Sequence, residues 1–179
     1  MTEAADYERQ PLLRYYAVDH LAADFADELA EIDRVASRVL YVGCGAGFAL
    51  VGRPAWRGVD FNTQLPLIWK THGIDDRAGI ADARRLPFDD GSFERTVSCD
   101  FLEHVATADL PRVFEELNRV AAAGTHIIDS TPQSGFRGVD EKNLHPSGGL
   151  QPSEWLRLVD RLDSIDVEIR GRYTILRWG

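Results

Sequence analysis

Three glycines and two aspartates carry the clearest chemical signal in this chain. The run VLYVGCGAGF leads an apolar stretch straight into Gly43, Gly45 and Gly47. Glycine lets a backbone turn tightly and approach a ligand closely. A helix opening after such a turn presents N–H groups that suit a carboxylate or phosphate. Asp60 closes a second apolar run, AWRGVD, 17 residues after Gly43. A carboxylate there can accept bonds from both hydroxyls of a ribose. Asp82, in ADARRLPFDDGSFE, follows a weaker third run, where it can accept a bond from an adenine amino group. Each aspartate also has an ordinary reading, as a strand-end acid or a turn former. The glycine turn upstream favours the ligand reading for both.

The glycine spacing is G-x-G-x-G, whereas dinucleotide binding uses G-x-G-x-x-G, and Phe48 occupies the third glycine position of that fingerprint. This counts against a nicotinamide cofactor. Asp89, Asp90 and Gly91 lack the spacing of a calcium loop and read as a surface turn. No metal site is expected.

The elements that must position these residues follow from periodicity. Short apolar runs alternate with helical patterns, which predicts a parallel sheet with helices on its faces. Leu21, Phe25, Leu29 and Ile32 predict a first helix over residues 19 to about 35, with Asp19 as its cap. A buried-type strand ends at Val42, a brief helix follows the glycine turn, and a second strand ends at Asp60. Residues 62–72 read as a helix stopped by Gly73. A weak third strand leads to Ala81, and a fourth, RTVSC, ends at Cys99. Leu110, Val113, Phe114, Leu117 and Val120 form a helical stripe, with Gly124 as its stop. THIID is the fifth strand. A polar stretch over 130–149 is long enough to be functional. A helix opened by Pro152 or Ser153 carries Trp155, Val159 and Leu162. Ile165, Val167 and Ile169 then alternate, and a turn at Gly171 leads into RYTILRW, a closing antiparallel hairpin.

Bulk properties set the frame. The 179 residues are 44% hydrophobic and 27% charged, which predicts one globular domain over 1–179. It would comprise an N-terminal helical segment over 1–36 and a substrate-side loop over 130–150. The formal net charge of −9 argues against nucleic acid as the main partner. Cys44 and Cys99 are too few for a secreted disulfide scaffold. The start, MTEAADYERQ, is polar and acidic, unlike a signal peptide. No apolar run approaches the ~20 residues that span a bilayer. The expected location is the cytoplasm, with no membrane partner.

VLYVGCGAGF, GVD, ADARRLPFDDGSFERTVSCDFLEHV and LNRVAAAGTHIID together resemble the class I S-adenosylmethionine-dependent methyltransferases. The likeness is greatest to the methyltransferase type 11 group, which includes ubiquinone/menaquinone-biosynthesis and many small-molecule enzymes. It covers roughly residues 38–132, and LPFDDGSFE followed by a strand and LEHV is far more specific than any glycine triplet. The resemblance implies a doubly wound, Rossmann-like α/β fold: a seven-stranded sheet with six parallel strands and an antiparallel one in the C-terminal hairpin. It implies S-adenosylmethionine as cofactor and methyl transfer to an unidentified small-molecule acceptor.

On that resemblance, Gly43, Gly45 and Gly47 face the methionine part of the cofactor, and Asp60 holds the ribose. Asp82 and Ala83 hold the adenine, while Cys99 and Asp100 line the methionine and substrate side. Tyr41, Cys44 and Phe61, which adjoin these positions, complete the expected cofactor-binding set. His145, in VDEKNLHPSGG, and His104, in LEHV, are the candidate general bases, with Asp140 placed to orient His145. Glu103 reads as a helix-start residue. Tyr15 and Tyr16 precede the first helix, where they pack on the domain or cover the cofactor. Cys44 and Cys99 read as small buried residues rather than nucleophiles. A homodimer would complete an otherwise open acceptor site.

The chain departs from the family pattern in three places. Tyr41 stands where family members place an acid, residues 47–60 leave room for only a short helix, and AAAG replaces the usual lysine-proline-glycine-glycine. The first two motivate an alternative: a methyltransferase-fold protein that binds or interacts without catalysis.

Overall fold

The computed structural model describes residues 20–130, 147, 150–159 and 164–179. Asp19, Tyr15, Tyr16 and Leu162 therefore lie outside the described residues, as do Asp140 and His145.

Leu21, Phe25, Leu29 and Ile32 are all buried, as their spacing requires. The expected single helix is two, α1 (His20–Asp24) carrying Leu21 and α2 (Ala26–Val35) carrying Leu29 and Ile32. Phe25 leaves the helical region between them, at φ −126° and ψ 42°. Its ring meets Tyr173 edge-on at 4.8 Å, and the Arg170 guanidinium lies 5.9 Å from its centre. Tertiary packing of this aromatic residue thus overrides helical continuity.

Strand β1 (Val39–Val42) is buried along its whole length. Val39 and Tyr41 face one core layer with Phe25, Ile32 and Trp69; Leu40 and Val42 face a second with Phe114, Leu117 and Trp155. A strand covered on both faces reads as a continuous apolar run, which is what VLYV is. A three-residue 3-10 turn (Phe48–Leu50) is all that remains of the brief helix expected after the glycines. Then come β2 (Arg57–Asp60), α3 (Pro66–His72) and β3 (Ala78–Ile80). Gly73 ends α3 in the left-handed region, at φ 66°.

β4 (Arg95–Cys99) leads to a second 3-10 turn (Leu102–His104) and to α4 (Leu110–Val120), whose predicted stripe is buried throughout. Ala121 ends α4, so Gly124 is not the expected helix stop. It sits inside β5 (Ala123–Asp129), where a Cβ would run into the Trp178 ring. Close approach of that indole, not a turn, explains this glycine. α5 (Pro152–Leu158) and the hairpin of β6 (Asp166–Arg170) and β7 (Tyr173–Trp178) complete the fold.

The seven strands form one sheet in the order β3-β2-β1-β4-β5-β7-β6. β1 to β5 pair in parallel, and β7 runs antiparallel to both β5 and β6. Six strands therefore share one direction and β7 alone opposes it. From β1 the chain steps outward to β2 and β3, then returns to place β4 on the other side of β1. The reversal falls at the carboxyl ends of β1 and β4, where sheets of this kind form the crevice that binds ligands.

Candidate cofactor and acceptor site

The glycine turn lies at that crevice. Gly43 and Gly47 hold left-handed backbone angles, φ 70° and 76°. A Cβ on Gly43 would approach the Phe101 ring to 2.7 Å, and one on Gly47 would overlap Ile74. Both positions therefore need glycine for backbone angle and for space. Four of the five N–H groups over 43–47 are already in use. Gly43 and Cys44 N–H both donate to Val59 O, at 2.8 and 3.1 Å, and Gly47 N–H to Cys44 O at 2.9 Å. Gly45 N–H donates to Asp60 Oδ2 at 3.0 Å. The expected row of free N–H groups opening a helix is thus replaced by an internally bonded turn, because only a 3-10 turn follows.

Asp60 is 8% exposed and joins the turn to the end of β2. Its Oδ1 accepts Asn62 N–H at 3.0 Å, as Oδ2 accepts Gly45 N–H. Burial pushes its carboxyl above the usual range, while N–H donors from Asn62, Gly45 and Phe61 pull the other way. A carboxylate has about four acceptor sites, so these backbone donors leave capacity for a further hydroxyl. This arrangement fits a ribose.

α3 clamps the turn from outside. Trp69 Nε1 donates to Gly45 O at 2.7 Å, and His72 Nδ1 lies 2.9 Å from Ala46 O. The His72 ring also meets Phe48 at 4.7 Å. His72 is a bracing residue that the sequence analysis did not single out. The three-residue spacing of Trp69 and His72, which puts both on one helix face, was the available signal.

The other expected cofactor contacts divide into surface and core. Asp82 has a half-exposed side chain, and Arg84 forks onto both its oxygens, Nη2 at 2.8 Å from Oδ2. The Arg84 guanidinium and backbone N–H hold the Asp82 carboxyl below the usual range. Phe61 is 37% exposed, and Ala83 packs against the second core layer. Tyr41, Cys44 and Cys99 are buried in the first core layer. A Cβ on Gly58 would lie 2.8 Å from Cys44 Sγ, so the thiol is packed against the β2 backbone.

Across the crevice, Asp100 follows β4 with a left-handed backbone, φ 50°, uncommon outside glycine. His104 is half-buried in the next turn. Between them, Glu103 lies in the first turn of the Leu102–His104 3-10 helix, where the sequence reading put a helix start, and its burial is what that reading missed. It is 0% exposed, and its Oε1 accepts Asp129 N–H at 3.0 Å. Burial, then the neighbouring Asp100 carboxylate and nearby Asp129, hold the Glu103 carboxyl well above the usual range. Oε2 has no hydrogen-bond partner among the described residues. A charged residue flanked by Leu102 and Val105 was the sequence-level hint. Ser147, two positions after His145, is buried against this same turn. Its N–H donates to Glu103 O at 3.2 Å and its hydroxyl to Val105 O at 2.7 Å.

The strand order and the crevice define a Rossmann-like α/β protein. The family described as a methyltransferase domain matches residues 40–128, which span β1 to β5 and include the glycine turn, Asp60 and Asp100. Norajmaline N-methyltransferase of Rauvolfia serpentina is 28% identical over 145 residues, 74% of this chain and 47% of that protein. The chain thus spans about half the length of this curated relative. An S-adenosylmethionine-dependent methyltransferase of Thermotoga maritima superposes with a TM-score of 0.69 at 17% identity, covering 98% of each chain. A DhpI–SAH complex superposes with a TM-score of 0.65 at 14% identity, covering 98% of this chain and 94% of the other. Residues 40–128 thus match the methyltransferase-domain family, and the fold is the one shared with these S-adenosylmethionine-dependent methyltransferases.

Proposed function

We propose that this chain transfers a methyl group from S-adenosylmethionine to a small-molecule acceptor. The observation that carries this reading is the Asp60–Gly45 bond, which ties the carboxylate at the end of β2 to the glycine turn after β1. Asp60 would hold the ribose hydroxyls through its remaining acceptor sites. Asp82, sharing its carboxylate with Arg84, and Ala83 would meet the adenine edge, with the exposed face of Phe61 beside them. The 43–47 turn, braced by Trp69 and His72, would contribute mainly shape, since four of its five N–H groups are occupied. Cys99 and Asp100 would line the methionine and acceptor side.

The bound sulfonium supplies an activated methyl group and a good leaving group. The chain's own task is then mainly to hold the acceptor in line, which accounts for up to about 7–11 kcal/mol of barrier when alignment is tight. His104, and His145 two residues before Ser147 in the sequence, are the proposed groups to take a proton if the acceptor must lose one. The acceptor is taken as small because the curated relative is named for N-methylation of norajmaline. The −9 charge disfavours a nucleic acid. Among the described residues no helix is long and apolar enough to cross a membrane.

The test is incubation of the purified chain with methyl-labelled S-adenosylmethionine and a small-molecule extract, with mass-spectrometric detection of labelled products. Label in a low-mass product, lost in Asp60→Ala, supports the reading. Cofactor binding without transfer to any extract would instead favour the non-catalytic alternative.

A further inference from the structure

The Asp82 carboxylate has little acceptor capacity to spare. Arg84 N–H donates to its Oδ1 at 2.9 Å. Arg84 Nε reaches Oδ1 at 3.0 Å and Oδ2 at 3.1 Å, and Nη2 donates to Oδ2 at 2.8 Å. Together these bonds use up the roughly four acceptor positions of a carboxylate. The Asp82 carbonyl is taken as well, by Arg85 N–H at 2.9 Å. Arg84 has a second acid within reach: its Nη1 donates to Asp109 Oδ2 at 2.9 Å. The side chains of Asp82, Arg84 and Asp109 are all about half-exposed, so screened charge rather than packing holds the fork in place. Asp82 stands at the same sheet end as Asp60. Asp60 pairs in register with Ile80, and Ala81 N–H donates to Asp60 O at 2.9 Å.

Resting on the placement of adenine at Asp82 proposed above, we propose that Arg84 sets the affinity for the adenosyl group by competing with it for Asp82. The guanidinium holds the oxygens that an adenine amino group would take. Arg84 must therefore release Asp82, keeping Asp109, for the purine to be held there. Arg84 is on this account a positioning residue, acting through Asp82. The bond from Arg84 N–H to Oδ1 belongs to the backbone and survives the exchange, so the carboxylate stays oriented while Oδ2 is vacated. The exchange gives up an exposed ion pair and gains a hydrogen bond to a charged acceptor. Salt separates the two contributions. S-adenosylhomocysteine is a zwitterion without net charge near neutral pH, so screening weakens mainly the arginine's hold.

The experiment is calorimetric titration of the intact chain with S-adenosylhomocysteine at about 0.01 M and about 0.5 M sodium chloride. Arg84→Met keeps most of the stem and removes the fork. It should bind about three- to fivefold tighter than wild type at low salt, the scale of an exposed ion pair. Arg84→Lys, a point charge without the fork, should fall between the two. Wild-type affinity should rise about twofold or more with salt, and that of Arg84→Met should stay level. Adding Asp82→Asn to Arg84→Met should remove the gain, since the acceptor has lost its charge. Equal or weaker binding by Arg84→Met, or a salt response that it shares with wild type, overturns the proposal. A double variant that binds as tightly as Arg84→Met overturns the adenine placement and the proposal with it, while the saturable binding leaves the methyltransferase reading standing. Absence of binding in every protein overturns that reading too.

Discussion

Two buried glutamates, Glu28 on α2 and Glu103 after β4, are treated in opposite ways. Glu28 lies against the β6–β7 hairpin, and Arg170 Nη2 and Arg177 Nε approach it at 3.0 and 3.2 Å. Glu168 at 2.8 Å and Asp166 at 3.1 Å extend the same network through Arg177. Every charge there has a counter-charge. Glu103 has a backbone N–H, two neighbouring carboxylates and no arginine within salt-bridge reach among the described residues. A buried acid paired with cations holds elements together. One surrounded by acids adds little to stability.

The contrast can be broken by substitution. Glu28→Ala should be the most damaging change, lowering unfolding free energy by about 2 kcal/mol, because it removes the buried acceptor of the charged network while Asp27, Asp166 and Glu168 still pair the two arginines. Urea denaturation at pH 7 measures it; a loss below about 0.5 kcal/mol would mean that the network is ornamental. Glu116 is the intermediate case. Its carboxylate accepts Leu86 N–H at 2.8 Å and pairs with Arg119 at 2.8 Å, and the Arg119 bond, more than any other contact, keeps its carboxyl below the usual range. Glu116→Gln should cost about 1 kcal/mol at pH 7. A folded-state pKa depressed below the unfolded value makes that contribution present above about pH 4.5 and lost below it. The stability gap between wild type and variant should therefore close on acidification.

Glu103→Gln should have the smallest effect at pH 7, no loss beyond about 0.5 kcal/mol and a gain in the favourable case. The sign of its pH dependence is opposite. A carboxyl held above its unfolded pKa contributes stability fully below about pH 4.5, and that contribution fades as pH rises toward the folded value. Urea midpoints at pH 4.5 and 7.5 should show the variant gaining on wild type with rising pH. A constant gap would contradict the electrostatic account of Glu103.

Much of the frame was legible in the sequence. VLYV, RTVSC and the alternation after Ile165 gave their strands because periodicity reports burial directly, and the reversal at Gly171 predicted the antiparallel β7. The break at Phe25 was hidden because it depends on Tyr173 and Arg170, almost 150 residues away in the chain. Gly124 looked like a helix stop until the Trp178 ring was seen against it. At the site, Asp60 was visible as a strand-end acid after a glycine turn. That the turn would satisfy its own donors through Val59 O and Asp60 was not visible, since this depends on the register of β1 against β2. Glu103 does start a short helical turn, but its burial was not legible because its surroundings are set by β5, a neighbour that only the fold supplies.

Calorimetric titration of the intact chain with S-adenosylhomocysteine is the most direct measurement, made on wild type and on Asp60→Ala. Wild type should give a saturable one-to-one isotherm. The variant should bind at least about tenfold more weakly, the equivalent of about 1.4 kcal/mol from lost charge-assisted bonds. No binding at millimolar ligand, or equal affinity in the two proteins, would contradict the placement of the adenosyl group between Asp60 and the 43–47 turn.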